Sequence, residues 1–279
     1  MPLRPSQLAL LGSLTAYPLL IRLFAGPSPS GHRFSNAVKG VSTIHSTLLT
    51  VLALYALRHK PWRSPSIPKS LSTESKDNIE GRGGYPDDSH NPFITTRSEF
   101  ANSITAIEAG YLIQDVVVLV VEAHLHHVGG GRGTGLDKTL MTHHIGIGSA
   151  LLLLHYYIAR GRELGIYVIV MFLLMNSSTP ILNLRWYLRT FSPQRKAAIL
   201  IADGALVASF FTARVWLVWK ILAVYGGHHG WNALEAYAKG LRTPCKLGTG
   251  ALWAANLGWW TALVMNTMGR AKQWTLGGQ

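Results

Sequence analysis

Cysteine is nearly missing from this chain: Cys245 stands alone, which excludes an intrachain disulfide and leaves the redox compartment unread. Charge is scarce too. Only 14% of the 279 residues are Asp, Glu, Lys or Arg, against roughly 25% in an average soluble domain. Acidic residues are the rarer sign, 13 against 26 basic ones, for a formal net charge of +13. No basic face or base-stacking module accompanies that excess, so nucleic acid is not expected as a partner. A phosphate loop is missing as well. The glycine-rich run 129–135 has neither a Gly-Lys-Ser/Thr ending nor a strand before it, and reads as a turn between helices.

Long apolar runs fill the chain instead. Hydrophobic residues make up 48% of it, and the mean hydropathy is +0.19. Crossing about 30 Å of hydrocarbon takes about 20 mostly apolar residues. Seven windows reach or approach that length: 7–25, 38–57, 104–123, 142–159, 164–184, 199–225 and 249–268. The expectation is an all-α fold, a polytopic membrane helix bundle of about seven transmembrane helices. The basic residues fall between the apolar windows, where they face anionic headgroups. The first window follows Arg4 and is long for the core of a signal peptide, so residues 1–30 are read as a retained N-terminal anchor helix. The polar segment 58–97, rich in Ser, Pro and charge, is read as a disordered loop.

Ionisable groups inside a span cost about 2.5–3.5 kcal/mol each on insertion scales, so each calls for a reason. Ser42 and His45 lie three apart, on one helix face. Glu108, Tyr111, Asp115 and Glu122 form a single stripe on the third window. His144, Gly148 and His155 share a face of the fourth, with His143 alongside. The fifth window holds Asn176, Thr179, Pro180 and Asn183, and the sixth superimposes Asp203, Phe210 and Arg214. Two readings apply. Interhelical hydrogen bonds, averaging about 0.6 kcal/mol in one membrane protein, glue helices together, and that suits Ser42, Tyr111, Thr179 and Asn183. His45, Asp115, His144 and Arg214 are more expensive to bury and suggest a shared interior pocket. In a purely structural alternative, Asp115 and Arg214 neutralise each other. A third possibility, a di-iron centre built on the twelve histidines, fails on spacing. The run His124-Leu125-His126-His127 has one intervening residue rather than two, and the other pairs stand apart, so no metal is expected.

Taken in order, these motifs resemble the TLC-domain family, which includes the ceramide synthases and smaller lipid-homeostasis proteins. The matching segments begin with Asn36 to His45, containing Ser42-x-x-His45, then Gly110-Tyr111-x-x-x-Asp115 and His143-His144. They continue with Ser178 to Trp186, Phe210-Phe211-x-x-Arg214 and Asn256-x-x-Trp259. The resemblance implies a TLC-type membrane domain over residues 31–275, usually in the endoplasmic reticulum, with a lipid-sized cavity. It implies a lipid pocket formed by Ser42, His45, Tyr111, Asp115, His144, Asn176, Asn183 and Arg214. This chain departs from the ceramide synthases, whose His pair is followed by a His-Asp-x-x-Asp run. The corresponding stretch here, Val170-Met171-Phe172-Leu173-Leu174, has no ionisable group. Asn176 also stands where small family members often carry an acid. The expectation is therefore a multi-pass membrane protein that handles a lipid or acyl chain and influences membrane lipid composition, sphingolipids included. Its partners are membrane lipids, and it needs no cofactor. The alternative is an acyltransferase resembling ceramide synthase, with acyl-CoA as co-substrate, His143 or His144 as base or nucleophile, and Asp115 orienting it.

Overall fold

A computed structural model describes residues 3–26, 31–59, 62, 88, 90–128 and 138–276. Most of the polar loop 58–97 and all of the glycine run 129–135 lie outside the described residues. Helices account for the fold, and no strand occurs among the described residues. The chain divides into two compact units, residues 1–62 with 97–173, and residues 63–96 with 174–279.

The first unit contains α1 (Pro5–Ala25), α2 (Gly31–Arg58), α4 (Glu99–Val128), α5 (Lys138–Ala159) and α6 (Ile166–Leu173). Its centre is α4, which packs on α1, α2, α5 and α6. Many residues shut in between helices are small or polar: Ala53, Ala56, Ala101, Ala106 and Ala109 are buried, as are Ser46, Asn102 and Thr105, beside the larger Leu49, Ile104, Ile166 and Val170. Bulky Leu19, Leu23, Leu48 and Leu153 point outward. Hydrocarbon solvates a leucine as well as a protein interior does, so small residues that allow close helix approach take the interfaces. Gly110 is the tightest such point. A Cβ there would sit 1.8 Å from Ser13 Oγ and 2.9 Å from Ser13 Cβ.

The second unit contains α3 (Pro92–Thr95), α7 (Thr179–Phe191), α8 (Lys196–Phe210), α9 (Leu217–His228), α10 (Ala233–Glu235) and α11 (Thr243–Leu276). Helix α8 packs against α7 and α11. Three departures from plain α-helix occur here, one of them a π-helix at Ala236–Gly240 after α10. Residues Leu174–Ser178 wind as a 3₁₀ turn before α7. Pro180, at the second position of α7, has no N–H to continue an α-helical ladder back into that turn. Residues Phe211–Trp216 form a π-helix between α8 and α9. A π turn holds more residues than an α turn, so the spacing from Asp203 to Arg214 is not that of an unbroken α-helix. The end of the long polar segment is ordered in this unit. Asn91 caps α3 by accepting from the Phe93 amide at 3.0 Å, and Asp88 accepts from the Tyr225 hydroxyl at 3.1 Å.

Five stretches among the described residues are long and apolar enough to cross a membrane: Pro5–Ala25, Arg33–Arg58, Glu99–His124, Ile166–Phe191 and Lys196–His228. The other two expected windows are also helical, as α5 and α11, with 22 and 34 residues. They fall short in apolarity, because α5 carries three histidines and α11 several Gly, Asn and Lys residues. The polytopic helical class holds, and the count of seven is not confirmed.

Candidate functional site

The polar stripe of α4 is where the first unit concentrates its chemistry. Glu108, Tyr111, Asp115 and Glu122 recur at helical spacing, and each meets a partner from another helix. Glu108 Oε2 lies 2.7 Å from Nε2 of His45 on α2. The other nitrogen of that ring, Nδ1, is hydrogen-bonded to the hydroxyl of Tyr17 on α1. Ionised, a carboxylate only accepts, so Glu108 places the imidazole proton on Nε2 and leaves Nδ1 to accept from Tyr17. Tyr111 stacks on His45, with ring centroids 3.8 Å apart and planes 13° from parallel. It meets Tyr17 edge-on at 5.1 Å and shares a hydrogen bond with Ser42. Further along α4, the Ser35 hydroxyl donates to Glu122.

This Tyr17–His45–Glu108 chain is sealed. The His45 and Glu108 side chains are 1% and 8% exposed. The Tyr17 and Tyr111 rings pack against His45. Such a buried chain costs desolvation that only complete pairing offsets, and here both imidazole nitrogens are occupied.

The second carboxylate–histidine contact is more open. His144 Nδ1 on α5 lies 2.6 Å from Asp115 Oδ2, with side chains 17% and 12% exposed. The approach is out of line for the ring N–H, so it is a close contact without hydrogen-bond geometry. With Nδ1 turned to the carboxylate, Nε2 has no hydrogen-bond partner among the described residues. His143 is adjacent, its ring centroid 5.7 Å from that of His144. The face His144–Gly148–His155 is the one that meets α4. Gly148 packs toward Leu112, and His155 Nε2 lies 3.3 Å from Thr105 Oγ1.

The remaining sequence candidates belong to the second unit. Arg214 donates from Nε to Ser178 Oγ at 3.0 Å and from Nη2 to Thr179 Oγ1 at 3.4 Å. Its guanidinium lies 5.1 Å from the centroid of the Phe210 ring. Asn183 is buried on α7, and Asn176 lies in the 3₁₀ turn, half-buried. Within the first unit the structure thus brings Ser42, His45 and Tyr111 into one cluster and Asp115 with His144 into another. Asp115 has a histidine as its partner. Sequence reasoning missed Tyr17, and Glu108 was read only as part of the stripe. One signal was available for Tyr17: Ser6, Ser13 and Tyr17 share the buried face of an otherwise greasy α1. Among the described residues, no group of three or more His, Cys, Asp or Glu gathers as metal ligands would.

A buried carboxylate–histidine pair, His45 with Glu108, between helices long and apolar enough to span a bilayer defines a class, the multi-pass helical membrane proteins with a polar interior. The family follows from a comparison with known families. The model described as the TLC domain matches residues 36–268, most of the chain, and the chain belongs to that family, which is linked to lipid handling. No curated protein and no solved structure matches it.

Proposed function

We propose that this protein binds a lipid or acyl chain at the Asp115–His144 edge of the α4 stripe, in the endoplasmic reticulum membrane, and thereby influences membrane lipid composition. The observation that carries this reading is the contrast between the two carboxylate–histidine contacts. The Tyr17–His45–Glu108 chain is closed and satisfied, which suits a structural support. The Asp115–His144 pair keeps some exposure and one uncommitted ring nitrogen, which suits contact with a ligand's polar end. Membership in the TLC family supports a lipid as that ligand. Purification of the full chain in mild detergent, followed by mass spectrometry of co-purifying lipid, tests the proposal. A lipid class enriched over detergent controls, and depleted in Asp115→Asn, is expected. A chain that carries no lipid above those controls defeats it.

The same pair supports a second reading, acyl transfer from acyl-CoA to a lipid amine or hydroxyl. His144 Nε2 would take the proton of the acceptor as its nitrogen or oxygen attacks the thioester carbonyl. The carbon–sulfur bond then breaks, and the CoA thiolate recovers that proton from the imidazolium stabilised by Asp115. Labelled acyl-CoA and a long-chain base in microsomes distinguish the readings. Transfer that falls in His144→Ala supports catalysis, whereas identical products from the wild type and the variant remove it.

A further inference from the structure

A third concentration of charge lies in the second unit, centred on Asp203. Asp203, in the second turn of α8, has a fully buried carboxylate and three arginines on it. Arg185 Nε donates to Oδ1. Arg189, one turn further along α7, donates from Nη2 to Oδ1 at 2.9 Å and to Oδ2 at 3.1 Å. Arg270, near the end of α11, donates from Nε to Oδ2 at 2.9 Å. Arg270 falls just beyond the matched TLC domain, which ends at residue 268.

One carboxylate cannot neutralise three guanidiniums, and two positive charges remain over. Bringing charge out of water without a counter-charge is costly, so an excess of this kind calls for an anion. The hydrogen-bond inventory points the same way. Arg189 Nε and Arg270 Nη2 are shut off from water and have no acceptor among the described residues. The Arg189 and Arg270 side chains are nonetheless 33% and 23% exposed, so an oxyanion from outside can reach the cluster.

Position decides what kind of anion that is. The last two turns of α7, the first two of α8 and the end of α11 meet here. In a span these are the turns at headgroup depth, not at the bilayer centre. Trp186, Tyr187 and Phe191 stack edge to face on the same stretch of α7, as interfacial aromatics do. Planar forks with several N–H donors match phosphate oxygens in pairs, which a lysine cannot do.

We propose that Arg185, Arg189 and Arg270, held in place by Asp203, form a binding site for a phosphate group at the membrane interface. Asp203 serves as the positioning residue: it gathers three guanidiniums that would otherwise repel one another, while leaving them a net charge of +2. The phosphate comes either from an anionic phospholipid headgroup or from a soluble phosphate.

The full chain in phosphatidylcholine nanodiscs separates the two sources, with thermal unfolding followed by tryptophan fluorescence. Phosphatidic acid doped into the disc should raise the midpoint. In the double variant Arg189→Gln/Arg270→Gln the apparent affinity for it should fall at least roughly tenfold, as expected on losing charge-assisted hydrogen bonds. That variant keeps Arg185 opposite Asp203 as a neutral pair, so its fold should survive; single Arg270→Gln gives the same reading more gently. Arg189→Lys, which retains charge without the fork, should keep only part of the response. If inorganic phosphate alone raises the midpoint of undoped discs, and the double variant abolishes that rise, the site stands and its ligand is a soluble phosphate. If neither probe shifts the wild type, or the double variant responds as the wild type does, the proposal is overturned.

Discussion

His45 lies face to face with Tyr111 at 3.8 Å, so its ring cannot turn away from the Tyr17 hydroxyl and the Glu108 carboxylate that hold its two nitrogens. Three helices, α1, α2 and α4, thereby share one immobilised imidazole. The arrangement works only as a whole, because each member left behind would be a buried polar group without a partner.

Removing members one at a time should expose that dependence. Tyr17→Phe leaves His45 Nδ1 without its partner and is expected to cost about 1–3 kcal/mol. His45→Ala strands a buried carboxylate and should cost more, about 3–5 kcal/mol. Denaturation of the purified chain in detergent measures both. Equal stability of Tyr17→Phe and wild type would mean that the hydroxyl contact carries no weight.

Gly110 and Ser13 set how closely α4 approaches α1. Gly110→Ala places a carbon within 2.9 Å of the Ser13 Cβ even after the hydroxyl rotates away, so the helices must separate. Overpacking of this kind costs about 1–3 kcal/mol. Ser13→Gly removes both offending atoms, and the double variant should regain most of the loss. A double-mutant cycle reads the coupling, and strict additivity of the two changes would refute the contact.

Asp115→Asn and His144→Ala should each deplete the co-purifying lipid, and their combination should deplete it no further than the stronger single change. Groups that act as a unit behave in this non-additive way. Lipid mass spectrometry of the three variants gives the answer, and fully additive losses would show that the two residues act separately.

Asp88 ties the polar segment to α9, accepting from Tyr225 and lying 3.1 Å from His229 Nε2. Asp88→Ala should therefore loosen residues 90–96 locally, at a cost of about 1–3 kcal/mol for the orphaned donors. Hydrogen exchange resolves this. Faster exchange confined to 90–96 and the end of α9 is expected, and unchanged protection there would count against the tether.

The sequence carried the membrane class clearly, because a bilayer demands long apolar runs and makes every polar residue within them conspicuous. The α4 stripe was legible for the same reason. Periodicity assigns a residue to a face of its own helix, however, and is silent about which helix that face meets. For that reason the sequence left Asp115 with two candidate partners, Arg214 and the histidine pair, and His144 is the one that lies against it within the first unit. Tyr17 escaped notice because its partner lies 28 residues away on another helix and no motif marks it. The Asp203–Phe210–Arg214 alignment assumed an unbroken α-helix, and a π turn of six residues has no plain sequence signature. The span count of seven is not confirmed, since the histidines that give α5 its chemistry also lower its apolarity.

The near-absence of cysteine has one last consequence. Cys245, near the start of α11, is exposed. The native chain is therefore already a single-label protein, needing no background of removed thiols before a dye or spin probe is attached. Treated with a membrane-impermeant maleimide, sealed vesicles will report which compartment the head of α11 faces. That fixes the sidedness of the chain without a single substitution.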